Sequence, residues 1–265
     1  MMQAALLSIA AMLLFVNAAI AEAPPCALTR GETHAVARVL DSETLALDDG
    51  RRVRLIGALA PRAGDVGAVA GSWPPENEAQ AAVAALAEGQ SVTLWHDTVQ
   101  RDRYGQVFAH VTIGKDWLQG ALVSRGHARA YGRPGVDACT EALARLERSA
   151  REEGLGLWGN AAYRVRVAAR GDWARAVGSY QVASGVVHRV SRGSGEIFVS
   201  LGARRGRAYP LAAVVPPNRA HLTGGAAPRT LVGRRVLVRG WIEQRRGPVI
   251  VVDSKGQLEL LDDSQ

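Results

Sequence analysis

The sequence predicts a mainly β protein with a few helices: a five-stranded barrel of the OB type capped by helices, followed by a smaller all-β module. Three observations carry this reading. Strand-like runs in the order strand, turn, strand, turn, strand precede the first helical run. Helical periodicity is confined to three stretches, all before residue 155. After about residue 179, strand-like runs and turns alternate with no helix of convincing length.

THAVARVL and TLALDD lead into Asp49-Gly50, a two-residue hairpin signal, and then into RRVRLIG. An irregular stretch rich in Gly and Pro covers 58–74. In PENEAQAAVAALAEG, Ala79, Ala82, Val83 and Leu86 stand at i, i+3, i+4 and i+7, with Pro75 near the start and Gly89 past the end, which predicts a helix. SVTLW and QVFAHVTIG read as strands flanking the loop HDTVQRDRYG. DWLQGALVSRG reads as a short helix, HARAY as a strand and CTEALARLERSAREEG as a longer amphipathic helix, and GLGLWGN closes the unit. Beyond it, YQVASGVVHRV, EIFVSLG and RAYPLAAVV are strand-like. A hairpin through Arg246-Gly247 and a last strand, QLELL, follow. The expected division is a leader at 1–23, the barrel at 24–165, a linker at 166–178 and the β module at 179–265.

Of the 265 residues, 48% are apolar and 22% charged, which suits packed cores and argues against disorder. The apolar run from Ala4 to Ala21 ends in Ala19-Ile20-Ala21, a small-x-small cleavage pattern. A cleaved signal and export to the periplasm or medium are expected, with no stable membrane span afterwards. A retained anchor is the alternative, which Ser8, Asn17 and the cleavage pattern disfavour. In an oxidising compartment Cys26 and Cys139 are a candidate disulfide; two unpaired thiols are the other reading. Residues 170–265 hold 15 Lys and Arg against 7 Asp and Glu, so the positive charge lies in the C-terminal part.

ARVLDSETLALDDGRRVRLIG, VQRDRYGQVFAHV, WLQGALVSRGHARAY and GLGLW together resemble the thermonuclease family, that of staphylococcal nuclease, from about Ala35 to Gly159. The resemblance implies that family's barrel and hydrolysis of DNA and RNA phosphodiesters with one Ca²⁺. Two carboxylates and a carbonyl would hold the ion, a Glu would act on water, and two Arg would grip the phosphate. The first Ca²⁺ carboxylate then falls at Glu43 and the first phosphate contact at Arg54. The second carboxylate falls at Leu59, the carbonyl at Ala60 beside Pro61, the base at Arg62 and the second Arg at Gln106. Three of five side-chain roles are replaced, so catalysis is doubtful and Glu43 alone is a weak Ca²⁺ ligand. Arg103 and Tyr104 match a loop that approaches nucleic acid. Alternatively, Tyr104 packs on the barrel while Asp102 caps the turn. A relocated site would draw on Asp65, Glu76 or Glu78, each of which also reads as an ordinary turn or first-turn acid.

The six His residues, at 34, 96, 110, 127, 188 and 221, show no metal-ligand or triad spacing. In the C-terminal module, arginines at 204, 205, 207, 234, 235, 239, 245 and 246 accompany Phe198, Tyr209 and Trp241. They form either a stacking surface for single-stranded DNA, RNA or another polyanion, or arginines alternating outward into solvent. Two functions remain in view: a rebuilt exported phosphodiesterase, and a catalytically silent module that binds nucleic acid or protein.

Overall fold

The computed structural model describes residues 22–65, 73–203, 210–223 and 227–261. The leader read at 1–23 therefore lies outside them up to residue 21. No helix among the described residues is long and apolar enough to cross a membrane.

The first unit opens with β1 (Thr29–Asp41), β2 (Thr44–Leu47) and β3 (Arg52–Leu55), an antiparallel meander. Gly50 makes the β2–β3 turn possible with φ +82, a conformation that costs a residue without Cβ little. After β4 (Ala58–Leu59) comes α1 (Pro74–Ala87), which buries Pro75, Ala79, Val83 and Ala87 along one face. β5 (Ser91–His96) and β6 (Val107–Ile113) complete a ring, since β5 pairs with β1 and β6 runs parallel to β3. The closed five-stranded barrel expected from the sequence is present. β7 (Asp116–Trp117), α2 (Leu118–Ser124), β8 (Arg129–Ala130) and α3 (Thr140–Glu152) cover its end. β8 pairs with β4, bringing Leu59 opposite Arg129. A disulfide joins Cys26, just before β1, to Cys139 at the start of α3, with Cα atoms 5.2 Å apart.

The second unit contains β9 (Arg166–Val167), α4 (Trp173–Ala176), β10 (Tyr180–Gly193), β11 (Glu196–Leu201), β12 (Ala212–Val215), β13 (Arg235–Gln244), β14 (Pro248–Val251) and β15 (Leu258–Leu260). β10, β11 and β12 form an antiparallel meander, β12 runs parallel to β14, and β13 pairs with both β14 and β10. This too is a closed ring of five strands, with the circuit of β1, β2, β3, β6 and β5 repeated. The chain is thus two barrels of one topology in tandem.

Residues 166–178, read as a linker, are part of the second barrel. β9 adds to β10 as a parallel strand, and Ala168, Trp173 and Ala176 are buried in that barrel's core. The Trp173 indole N–H donates to the carbonyl of Ala168 at 2.9 Å, which fixes the turn. Nor do the two barrels stand apart. Leu59, Trp73 and Leu157 from the first share one apolar cluster with Tyr180, Val182 and Leu237 from the second.

Candidate functional site: a carboxylate between two arginines

Glu43 sits in the β1–β2 turn, where its N–H donates to Asp41 Oδ1 at 2.7 Å and its carbonyl accepts the Leu55 N–H at 2.8 Å. That second bond lays the turn beside the end of β3. Val53 and Leu55 point into the core there, so Arg54 points the other way, toward Glu43. The Glu43 side chain is only 3% exposed, and both its oxygens are engaged. Oε1 accepts the Ala60 N–H at 2.7 Å. Oε2 accepts both Arg54 and Arg62, the latter at 2.5 Å. Burial works against the Arg62 charge, but Glu43, Asp41 and Asp65 outweigh it and raise its pKa.

The Ala60 carbonyl faces a third guanidinium, with Arg129 Nη2 at 3.5 Å. Arg129 also ion-pairs with Asp65 at 3.0 Å, and its guanidinium lies over the Tyr163 and Tyr180 rings at 4.9 and 5.3 Å. Asp65 additionally accepts the Tyr163 hydroxyl at 2.8 Å and the Arg62 N–H at 3.1 Å. Leu59 is buried in the cluster between the barrels.

Beside Glu43 and Arg54 opens a pocket of about 280 Å³. Ile56, Gly57 and Phe108 line it along with Gln106, Tyr131 and Arg133. Its loop is shaped by Asp102, whose Oδ1 accepts the N–H groups of Tyr104 and Gln106 at 2.8 and 2.9 Å. Tyr104 is 79% exposed with the Arg103 guanidinium 4.8 Å over its ring, so it does not pack on the barrel. Arg133 lies 4.8 Å over Phe108.

Residues 52–160 match the family model described as staphylococcal nuclease homologue. The chain is 31% identical over 135 residues to the thermonuclease of Staphylococcus intermedius, covering 49% of this chain and 77% of the relative. The chain belongs to the thermonuclease family. A second family member, the thermonuclease of Staphylococcus hyicus, is 30% identical over 133 residues, with 49% of this chain and 77% of that protein covered.

On this thermonuclease barrel, Glu43, Arg54 and Arg62 come together, and Gln106 lines the same pocket as Glu43 and Arg54. Two of the acids considered for a relocated site, Asp65 and Glu76, are taken up by adjacent N–H groups of the loop, those of Arg62 and Ala63. Asp65 is tied to Arg129 and Tyr163, and Glu76 accepts the Ala63 N–H at 2.9 Å. Arg129 and Tyr131 lie in HARAY, read as a strand, and Arg133 follows it; none of the three is among the site residues expected from the sequence. The spacing RAYGR, an aromatic between two arginines on the thermonuclease framework, is the signal that marks them.

Three potential metal ligands, His34, Asp48 and Asp49, lie close together elsewhere on the thermonuclease barrel. Arg51 ion-pairs with Asp49 at 2.6 Å and with neighbouring Glu32 at 2.7 Å, so a guanidinium already supplies the positive charge there. In the second barrel, Arg204, Arg205, Arg207 and Tyr209 lie outside the described residues. Arg239 is no surface arginine: it is fully buried against Glu147. Glu147 of α3 covers Arg239 there, so alternation along β13 does not lead to solvent at that residue.

Proposed function

We propose that this thermonuclease-family chain is an exported module that binds single-stranded nucleic acid without hydrolysing it through Ca²⁺ chemistry. The observation that carries the reading is the Arg62 guanidinium on Glu43. The residues present do not fit a Ca²⁺ ion. Such a site needs several oxygen ligands, usually with more than one carboxylate. Here the Glu43 carboxylate is saturated by two guanidiniums and a backbone N–H, Asp41 Oδ1 accepts the Glu43 N–H, the Leu59 side chain brings no oxygen, and the Ala60 carbonyl faces Arg129. Arg62 and Arg54 neutralise Glu43 as a cation would, but neither can polarise a water molecule into a nucleophile. The general base is absent too, a loss typically worth ~10²–10⁴ in rate.

What remains suits binding. Arg54 is 30% exposed beside the pocket, Arg133 is exposed at its rim, and Gln106 offers neutral hydrogen bonds. Guanidiniums match phosphate geometry. The leader-like N-terminus and the Cys26–Cys139 disulfide support export to an oxidising compartment.

The test is incubation of the purified chain with single-stranded DNA and RNA, first with Ca²⁺ and then with EDTA, alongside a salt titration of binding. The expected result is intact strands in both conditions and affinity that falls as salt rises. Cleavage that EDTA abolishes would overturn the reading in favour of a rebuilt phosphodiesterase.

A further inference from the structure

Three aromatic rings form a continuous file from the pocket to the surface of the second barrel. Tyr131 lines the pocket. Its ring meets Tyr180 edge-on, with centroids 5.6 Å apart and planes at 79°. Tyr180 in turn meets Trp241 at 5.8 Å and 76°. The last two are register partners on β10 and β13 of the second barrel, so the file crosses from one barrel to the other between Tyr131 and Tyr180. Its middle member is fixed: the Tyr180 hydroxyl donates to the Ala130 carbonyl at 2.8 Å, and Arg129 lies 5.3 Å over its ring.

The end of the file is open. Trp241 is 44% exposed, and among the described residues only Tyr104 is a more exposed aromatic. Tyr104 stands on the Asp102–Gln106 loop that borders the same pocket. One solvent-facing aromatic thus stands on the loop bordering the pocket, and the other stands on the second barrel, two ring contacts beyond Tyr131.

We infer that a single strand seated at the first-barrel pocket continues onto the second barrel, where Trp241 stacks against one of its bases. The inference rests on the nucleic-acid reading of the pocket and extends it across the barrel boundary. The charge fits this occupant, since residues 170–265 carry 15 Lys and Arg against 7 Asp and Glu. An unpaired base suits an exposed indole because every base offers a π face, whereas phosphates need the arginines. A duplex keeps its bases stacked on one another and gains nothing from Trp241.

The experiment is fluorescence anisotropy with two labelled oligothymidylates in EDTA, one of three residues and one of twelve. The short strand fills the pocket; the long one reaches the second barrel. Trp241→Ala should weaken the long strand about tenfold, within the range typical of one lost stacking contact. It should leave the short strand unchanged, and Trp241→Phe should recover most of the loss. Arg54→Gln should weaken both. If Trp241→Ala changes neither strand, or weakens both equally, the extension is overturned while the pocket reading stands. If the wild-type protein binds neither strand, the pocket reading fails and the extension falls with it. Photocrosslinking of an iodouridine-substituted strand to the wild-type protein needs no variant. A crosslink to the peptide carrying Trp241 is expected, and crosslinks confined to the first barrel would overturn the inference.

Discussion

Glu147, on α3 of the first barrel, holds the guanidinium of Arg239 from the second, and neither side chain reaches solvent. Glu147 Oε1 also accepts the Ala130 N–H at 3.1 Å, and Arg151 approaches Oε2 at 3.3 Å. On the other side Arg239 meets Glu259, which also pairs with Arg148. Removing one partner of a buried pair strands the other charge, so Arg239→Met should cost about 3–5 kcal/mol. The double variant Arg239→Met, Glu147→Met should cost clearly less than the two single changes added together. Urea unfolding of the four proteins measures this; strict additivity would show that the pair is not coupled.

Acid should loosen the first barrel through His110. This ring is fully buried, and burial lowers its pKa from 6.5 to about 3. The Trp117 indole N–H donates to Nδ1 at 3.3 Å, leaving Nε2 without a partner among the described residues. Unfolded, the ring binds a proton below about 6.5, while folded it stays neutral down to about 3. Its contribution to stability is therefore intact above pH 6.5 and declines toward pH 3, by about 1.4 kcal/mol per pH unit. His110→Gln should flatten the difference in denaturation midpoint between pH 7 and pH 4.5. An unchanged difference would remove His110 as its source.

The Cys26–Cys139 bond spans 113 residues of sequence, a long loop to close in the unfolded chain. Reduction, or the double change to serine, should lower stability by roughly 2–5 kcal/mol. Denaturation with and without reductant reads this directly, and the serine variant should be indifferent to reductant. Equal midpoints in all conditions would mean that the bond constrains little.

Arg62→Glu places a second carboxylate beside Glu43 and removes the internal cation. We expect calorimetry to detect weak Ca²⁺ binding in the variant, on the order of millimolar, with none in the wild-type protein. Strand cleavage should not follow, because Leu59 still supplies no oxygen. Restoring an Asp there would bury a carboxylate in the apolar cluster with Trp73, Tyr163 and Leu237, at a cost of several kcal/mol or a shifted pKa. Strong cleavage by Arg62→Glu alone would contradict this account.

Local signals carried most of the first barrel. The Asp49-Gly50 turn and the Pro75-to-Gly89 helix are written in a few neighbouring residues, and both fold as that chemistry requires. The pairing of Arg62 with Glu43 is different, because barrel closure alone brings together residues 19 positions apart. The second barrel hid its closure for a similar reason. Its ring depends on β12 and β14, four residues each and parallel, and no hairpin signal joins them. Alternation along β13 tells which residues share a face but not what covers that face, so Arg239 read as a surface arginine. Tyr180, which plugs the second barrel onto the first, was equally invisible, because its partner Ala130 lies 50 residues away.

The match to the family ends near residue 160, but the first barrel's core does not. Leu59 and Trp73 share a cluster with Tyr180 and Leu237, and the Gly256 turn lies so close to the start of α3 that an added Cβ would fall 3.2 Å from the Glu141 nitrogen. A chain cut at the family boundary would expose that apolar surface and leave Glu147 facing water without Arg239. Limited proteolysis should therefore fail to release a stable nuclease-like fragment. What looks in sequence like an appendix is, in folding terms, a wall of the first barrel.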